Sequence, residues 1–147
     1  MQTKPFASLE EEAILNLGRT YEYLQARFAE FLKPYQLTPT QYNMLRILRG
    51  AGSIGVTCSQ ATERMLSPDP DITRLLDRME ARKLIRRERG TEDRRVVVTR
   101  ITDDGLVLAN EIDQPISEFH KSHLGHLAQQ RLQDLIETLE SLRGNPS

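Results

Sequence analysis

The sequence predicts a mainly α fold carrying one small β wing, and three observations predict it. Leucine dominates the apolar residues, with 20 Leu against 9 Ile and 5 Val in 147 residues, a bias toward helix over sheet. Apolar residues recur at spacings of three and four along most of the chain, the period of a single helix face. One short stretch, Leu84 to Ile101, breaks that period and sets β-branched residues beside a glycine-led turn.

Each element has a local reason. Ser8-Leu9-Glu10-Glu11 reads as a capping box, with Ser8 taking an orphan N–H and Glu11 reaching back. Ile14, Leu17, Tyr21, Leu24, Phe28 and Phe31 follow as a heptad seam, which Pro34 stops. Thr38 with Pro39 in the first turn starts a second helix whose stripe is Tyr42, Leu45 and Leu48, and Gly50, Gly52 and Gly55 break it. Thr57 to Gln60 caps a short third helix that buries Ala61 and Met65.

A turn, Ser67-Pro68-Asp69-Pro70-Asp71, feeds a fourth helix, with Ser67 or Asp69 expected as its cap. Ile72, Leu75, Leu76 and Met79 form its buried face, and Arg74, Arg78 and Arg82 recur every four residues on the other. Leu84–Arg89 and Arg95–Ile101 are the expected strands, joined through Gly90 to Arg94. Thr102 then caps a fifth helix with Asp103 and Asp104 in its first turn and Pro115 as an expected kink. After Gly125 a last helix shows Ala128, Leu132, Leu135, Leu139 and Leu142.

Composition excludes several classes. Leu, Ile, Val and Phe make up 38 residues, about a quarter of the chain and above the disordered range, and the formal net charge is only -1. No apolar run approaches the ~18 residues of a membrane span, and the N-terminus lacks a leader pattern, so a cytoplasmic protein without membrane contact is expected. A single cysteine, Cys58, excludes an internal disulfide framework and a thiolate zinc cluster. No Gly-rich phosphate loop, nucleophile elbow or His-Glu-x-x-His motif is present, so no enzyme and no cofactor are expected.

The small net charge hides an asymmetry. Arg64 to Arg100 holds eleven basic and seven acidic residues, leaving +4 there and -5 over the remainder, and ten of the eleven cations are Arg. Arginine forks onto phosphates and guanine edges, so a polyanion partner is expected, with a salt-bridged surface as the alternative. Helix, turn, helix and basic hairpin together make a winged helix-turn-helix, whose second helix fits the major groove of duplex DNA. Arg74 and Arg78 are the candidate base readers, and the hairpin arginines would reach a neighbouring minor groove, with Asp93 aiming Arg95.

Thr73-Arg74-Leu75-Leu76-Asp77-Arg78-Met79-Glu80, Lys83-Leu84-Ile85-Arg86-Arg87, Asp93-Arg94-Arg95 and Ile101-Thr102 with Gly105 resemble the multiple antibiotic resistance regulator (MarR) family. The ordered match runs from Thr57 to Gly105, and the flanks agree by layout. The resemblance implies a single domain over residues 1–147. Residues 37–102 would form the DNA-binding lobe, and residues 8–34 and 103–143 the N- and C-terminal dimerisation helices. It also implies a homodimer on palindromic duplex DNA, usually a repressor relieved by a small aromatic or phenolic ligand, an oxidant or a metal. Ser67, Asp69, Asp71, Thr73, Arg74, Arg78, Arg86, Arg87, Arg89, Asp93, Arg94 and Arg95 are then the candidate DNA contacts. Ile14, Leu17, Tyr21, Ile116, Phe119, Leu132, Leu135, Leu139 and Leu142 are the candidate dimer contacts. Two positions depart from the family pattern: members carry small residues at Asp69-Pro70-Asp71 and glycine at Lys83.

Other features carry two readings. Tyr21, Tyr23, Tyr42 and Met44 would line an effector pocket, or belong to cores. Cys58 is a packing residue or, at a helix start, a redox-sensitive thiol. His120 and His123 share a helix face and with Glu118 or Asp113 would hold zinc, or they are solvated, and no metal is expected. A winged-helix protein-interaction module and a metal-responsive regulator are the alternatives to a DNA-binding repressor.

Overall fold

The computed structural model describes residues 5–66 and 69–144. It is mainly α with a three-stranded antiparallel sheet, in the order α1 (Leu9–Leu32), α2 (Pro39–Ala51), β1 (Val56–Thr57), α3 (Cys58–Arg64), α4 (Ile72–Ala81), β2 (Ile85–Arg89), β3 (Val97–Ile101), α5 (Asp103–Leu124) and α6 (Gln129–Leu142). Contacts divide the chain into two compact units, residues 1–109 and 110–147.

The first unit holds the core. Leu32, Met44, Leu45, Leu48, Val56, Met79 and Ile85 are all but inaccessible, with Leu75, Leu76 and Leu84 close behind. The sheet runs β1-β3-β2, with Val56 opposite Thr99 and Ile85 opposite Ile101. Strand β1 is an addition to the expected hairpin: two residues ahead of a helix cap are too short to show a period. The second strand starts at Val97, because Val96 closes the turn instead, accepting from Gly90 N–H at 2.7 Å.

The helix starts follow their capping chemistry with two corrections. Ser8 Oγ accepts from Glu11 N–H, but the Glu11 carboxylate receives Ala7 N–H rather than its own cap residue's. Helix α4 is capped by Asp71, whose Oδ1 accepts from Arg74 N–H at 3.3 Å, and not by Ser67 or Asp69. Asp69 Oδ1 instead accepts from Asp71 N–H at 2.8 Å, so the acids build one turn in series. Ser67 and Pro68 lie outside the described residues. Thr38 and Thr57 both form full capping boxes, with Gln41 and Gln60.

The end of α4 explains the position where the family carries glycine. Lys83 N–H donates to Glu80 O at 2.9 Å and Leu84 N–H to Met79 O at 3.1 Å, a Schellman closure that requires a left-handed residue at Lys83. Its φ is 62°, where a Cβ is disfavoured. Thr102 seals the junction: its hydroxyl donates to Lys83 O at 2.6 Å and accepts from Gly105 N–H at 3.0 Å.

In the second unit Ile112 and Ile116 are buried, whereas α6 buries no residue. Ile116, a candidate dimer contact, is thus already covered within the single chain, one helical turn after Ile112 on the same face. Helix α5 continues through Pro115 to Leu124.

Candidate nucleic-acid interface

Sorting the cations of residues 64–100 by what they already hold reduces the basic segment to a smaller exposed set. Arg82 donates to the backbone oxygens of Gln36 and Tyr35, and so fastens the end of α4 to the loop after α1. Its place in the outward-facing row is corrected: a residue eight positions after Arg74 lies at the helix cap, where a carbonyl is in reach. Arg100 donates to Ser53 O at 2.8 Å and pairs with Glu88 at 3.3 Å. Arg89 donates to Arg94 O at 2.9 Å and shapes the wing turn.

Arg87, among the expected DNA contacts, is the most heavily engaged within the chain. Its side chain is only 23% exposed and bridges two carboxylates of α4, Asp77 at 2.5 Å and Glu80 at 2.9 Å. Its backbone N–H also donates to Glu80 Oε2 at 2.9 Å. The guanidinium hydrogen bond holds the Glu80 carboxyl below its ordinary value, and Glu80 in turn raises Arg87. A cation holding both carboxylates clamps α4 to β2. Neither acid lies next to Arg87 in sequence, which is why charge counting missed the commitment.

The exposed remainder lies on α4 and the wing. Arg74 and Arg78 leave α4 on its solvent face, opposite Leu75, Leu76 and Met79, with Thr73 exposed beside them. Asp71 holds Arg74 loosely, at 3.6 Å. Arg86 is exposed and 3.4 Å from Glu88. On the wing, Asp93 Oδ1 accepts from Arg95 N–H at 3.0 Å and from its Nε at 3.3 Å, so the carboxylate both forms the turn and aims the side chain. The Arg95 side chain is 93% exposed. Neither Arg78 nor Arg94 has an acidic partner among the described residues, and both are exposed. The exposed arginines thus lie as one pair on a helix and one on a turn, and guanidinium groups are suited to phosphate and base edges.

Asn43 was not anticipated. Its Oδ1 accepts from Leu66 N–H at 3.0 Å and so anchors the turn between α3 and α4. An asparagine inside an amphipathic helix is the only signal, a weak one.

The expected effector residues separate. Tyr42 and Met44 are core side chains, the former edge-on to Phe28 at 5.8 Å, whereas Tyr21 and Tyr23 are exposed on α1. Tyr42 packs α2 against α1 through Phe28. His123 sits against the Phe119 ring at 4.3 Å with Nδ1 2.9 Å from Phe119 O. Among the described residues no three His, Cys, Asp or Glu side chains gather as a metal site. Cys58 is exposed.

The candidate dimer contacts show uncovered apolar surface. Ile14, Leu17, Tyr21, Leu135 and Leu142 are exposed, together with Leu9, Leu15 and Ile136. Phe119, Leu132 and Leu139 are half-buried.

Comparison with known proteins agrees with this geometry. The model of the MarR family matches residues 35–96. The HTH-type transcriptional repressor MdtR of Bacillus subtilis is 33% identical over 98 residues, covering 67% of this chain and 62% of MdtR, so the match spans less than two thirds of that relative. A MarR transcription factor from Planctomyces limnophilus is 41% identical in its crystal structure, covering 92% of this chain and 98% of that one, with a TM-score of 0.71. The S. aureus MepR–DNA complex shares the fold at 19% identity, with a TM-score of 0.79 over 88% of this chain and 95% of that one.

Proposed function

The chain belongs to the MarR family, and from that premise we propose that it is a transcriptional repressor that binds palindromic duplex DNA as a homodimer. One observation carries the reading: the solvent face of α4 presents Arg74 and Arg78 while the wing presents Arg94 and Arg95, with Arg82, Arg87, Arg89 and Arg100 engaged within the chain. Helix α4 enters the major groove, Arg74 and Arg78 read base edges, and the wing arginines hold phosphate and the minor groove. Asp69 and Asp71 set the start of α4 and leave its phosphate contacts to neighbouring cations.

A second copy supplies the symmetry. The apolar faces of α1 and α6 are too extensive for a single chain of this size to leave in water, and a partner buries them. Two-fold pairing places the recognition helices about one DNA turn apart, ~34 Å. Among the described residues no helix is long and apolar enough to cross a membrane. A DNA-binding role puts the protein in the cytoplasm with its DNA. Relief by a small aromatic or phenolic ligand rests on family likeness.

Selection of bound duplexes from a random pool tests the reading. A palindromic consensus is expected. Arg74→Ala relaxes preference at particular bases, whereas Arg94→Ala and Arg95→Ala weaken binding on every sequence. A pool that enriches nothing, with a stoichiometric protein partner recovered instead, would favour the interaction-module alternative. Loss of binding on chelation would favour the metal-responsive one.

A further inference from the structure

We propose that Arg87 is a positioning residue that allows an acid to sit on the DNA-facing surface of α4, by neutralising Asp77 and clamping the helix to the wing. The inference rests on the DNA-binding reading above. Asp77 lies three residues after Arg74 and directly before Arg78, and its side chain is 57% exposed. An unpaired carboxylate there would face the phosphates that Arg74 and Arg78 approach. Arg87 reaches it from β2, the first wing strand, at 2.5 Å.

The clamp is asymmetric. Glu80 holds Arg87 through three contacts, to the backbone N–H and to Nε and Nη2 of the guanidinium, and so fixes the side chain before Asp77 is reached. Asp77 takes one contact, to Nη2. Glu80 is therefore the anchor, Asp77 the group being neutralised, and Arg87 the link that makes helix and wing approach the duplex as one surface. Arg87 itself touches no phosphate.

The test is a double-mutant cycle on duplex affinity, using the full-length protein and a duplex selected by the wild type. Removing Arg87 leaves Asp77 and Glu80 uncompensated in each protomer, and Asp77 is the one on the DNA-facing side. At about 7 Å from a phosphate and an effective dielectric constant of about 35, Asp77 weakens binding by about tenfold per protomer, or about a hundredfold for the dimer. Arg87→Ala is expected to lose about that factor while keeping the wild-type slope of log affinity against log salt. Asp77→Asn is expected to bind at least as well as wild type, and Arg87→Ala with Asp77→Asn to recover most of the loss.

A double variant as weak as Arg87→Ala, or a slope shallower by about 1.8 per dimer in Arg87→Ala, the signature of a lost phosphate contact in each protomer, overturns the inference while DNA binding stands. A wild type that binds no duplex overturns both. Should Arg87→Ala fail to fold, Asp77→Asn decides alone, since it keeps the Arg87–Glu80 pair: a loss of fivefold or more overturns the proposal, and undiminished affinity supports it.

Discussion

Gly105→Ala is expected to unseat the junction between the recognition helix, the wing and α5. A Cβ built at Gly105 would lie 2.2 Å from Leu84 O and 2.8 Å from Ile101 Cγ1. Leu84 O accepts from Thr102 N–H at 3.1 Å, and Thr102 Oγ1 bonds both Lys83 O and Gly105 N–H. Relief needs a displacement of about 1 Å, and neither the buried Leu84 nor the capped helix start can give that much freely. Overpacking of this kind costs about 1–3 kcal/mol, and a lost junction hydrogen bond about 1 more, so about 2–4 kcal/mol in all. At about 3 °C per kcal/mol for a chain of this size, Tm falls by about 6–12 °C. Calorimetry at one fixed protein concentration measures it, with Gly50→Ala as control, where an added Cβ meets nothing within 4 Å. A change of less than about 2 °C in Gly105→Ala would refute the close-approach argument.

Three further outcomes are expected. Lys83→Gly relieves the left-handed residue that closes α4 and raises Tm by about 3 °C, or ~1 kcal/mol, in the same calorimeter; no gain would mean that the lysine side chain stabilises the junction. Glu80 has a folded value below its ordinary 4.5 because Arg87 bonds its carboxylate, so its stabilisation is present above 4.5 and lost as pH falls through the folded value. Glu80→Gln is therefore less stable than wild type at pH 7, and the gap closes as pH drops below 4.5; a gap as wide at pH 3 contradicts the assignment. Ile14→Glu and Leu135→Glu change surface that is exposed in the single chain, so helix content holds by circular dichroism. Sedimentation should show association at least ~tenfold weaker for each, from burying an unpaired carboxylate. Unchanged association in both would place the dimer contact elsewhere.

What was legible in the sequence was whatever depends on neighbours along the chain. The period of Leu75, Leu76 and Met79, the capping threonines and the glycine-led wing turn each act over three or four residues, and each appears where the pattern places it. What was not legible depends on groups brought together by folding. Arg87 looked like any other arginine until α4 supplied Asp77 and Glu80, and Arg82 until the loop after α1 supplied its carbonyls. Strand β1 exists because β3 offers an edge to it. Met44 lies about 200° around α2 from Tyr42, off the stripe of Tyr42, Leu45 and Leu48, and only tertiary packing buries it. The cap of α4 was misplaced for a simpler reason: three oxygen-bearing side chains in a row of prolines all satisfy the same local rule, and the backbone uses the last.

The salt dependence of binding to the selected duplex tests the central claim most directly. If Arg94 and Arg95 of both protomers meet phosphate, those four cations alone give a slope of log affinity on log salt of about -3.6, and Arg94→Ala makes it shallower by about 1.8 per dimer. A wild-type slope flatter than about -1, or one that Arg94→Ala leaves unchanged, would contradict the account.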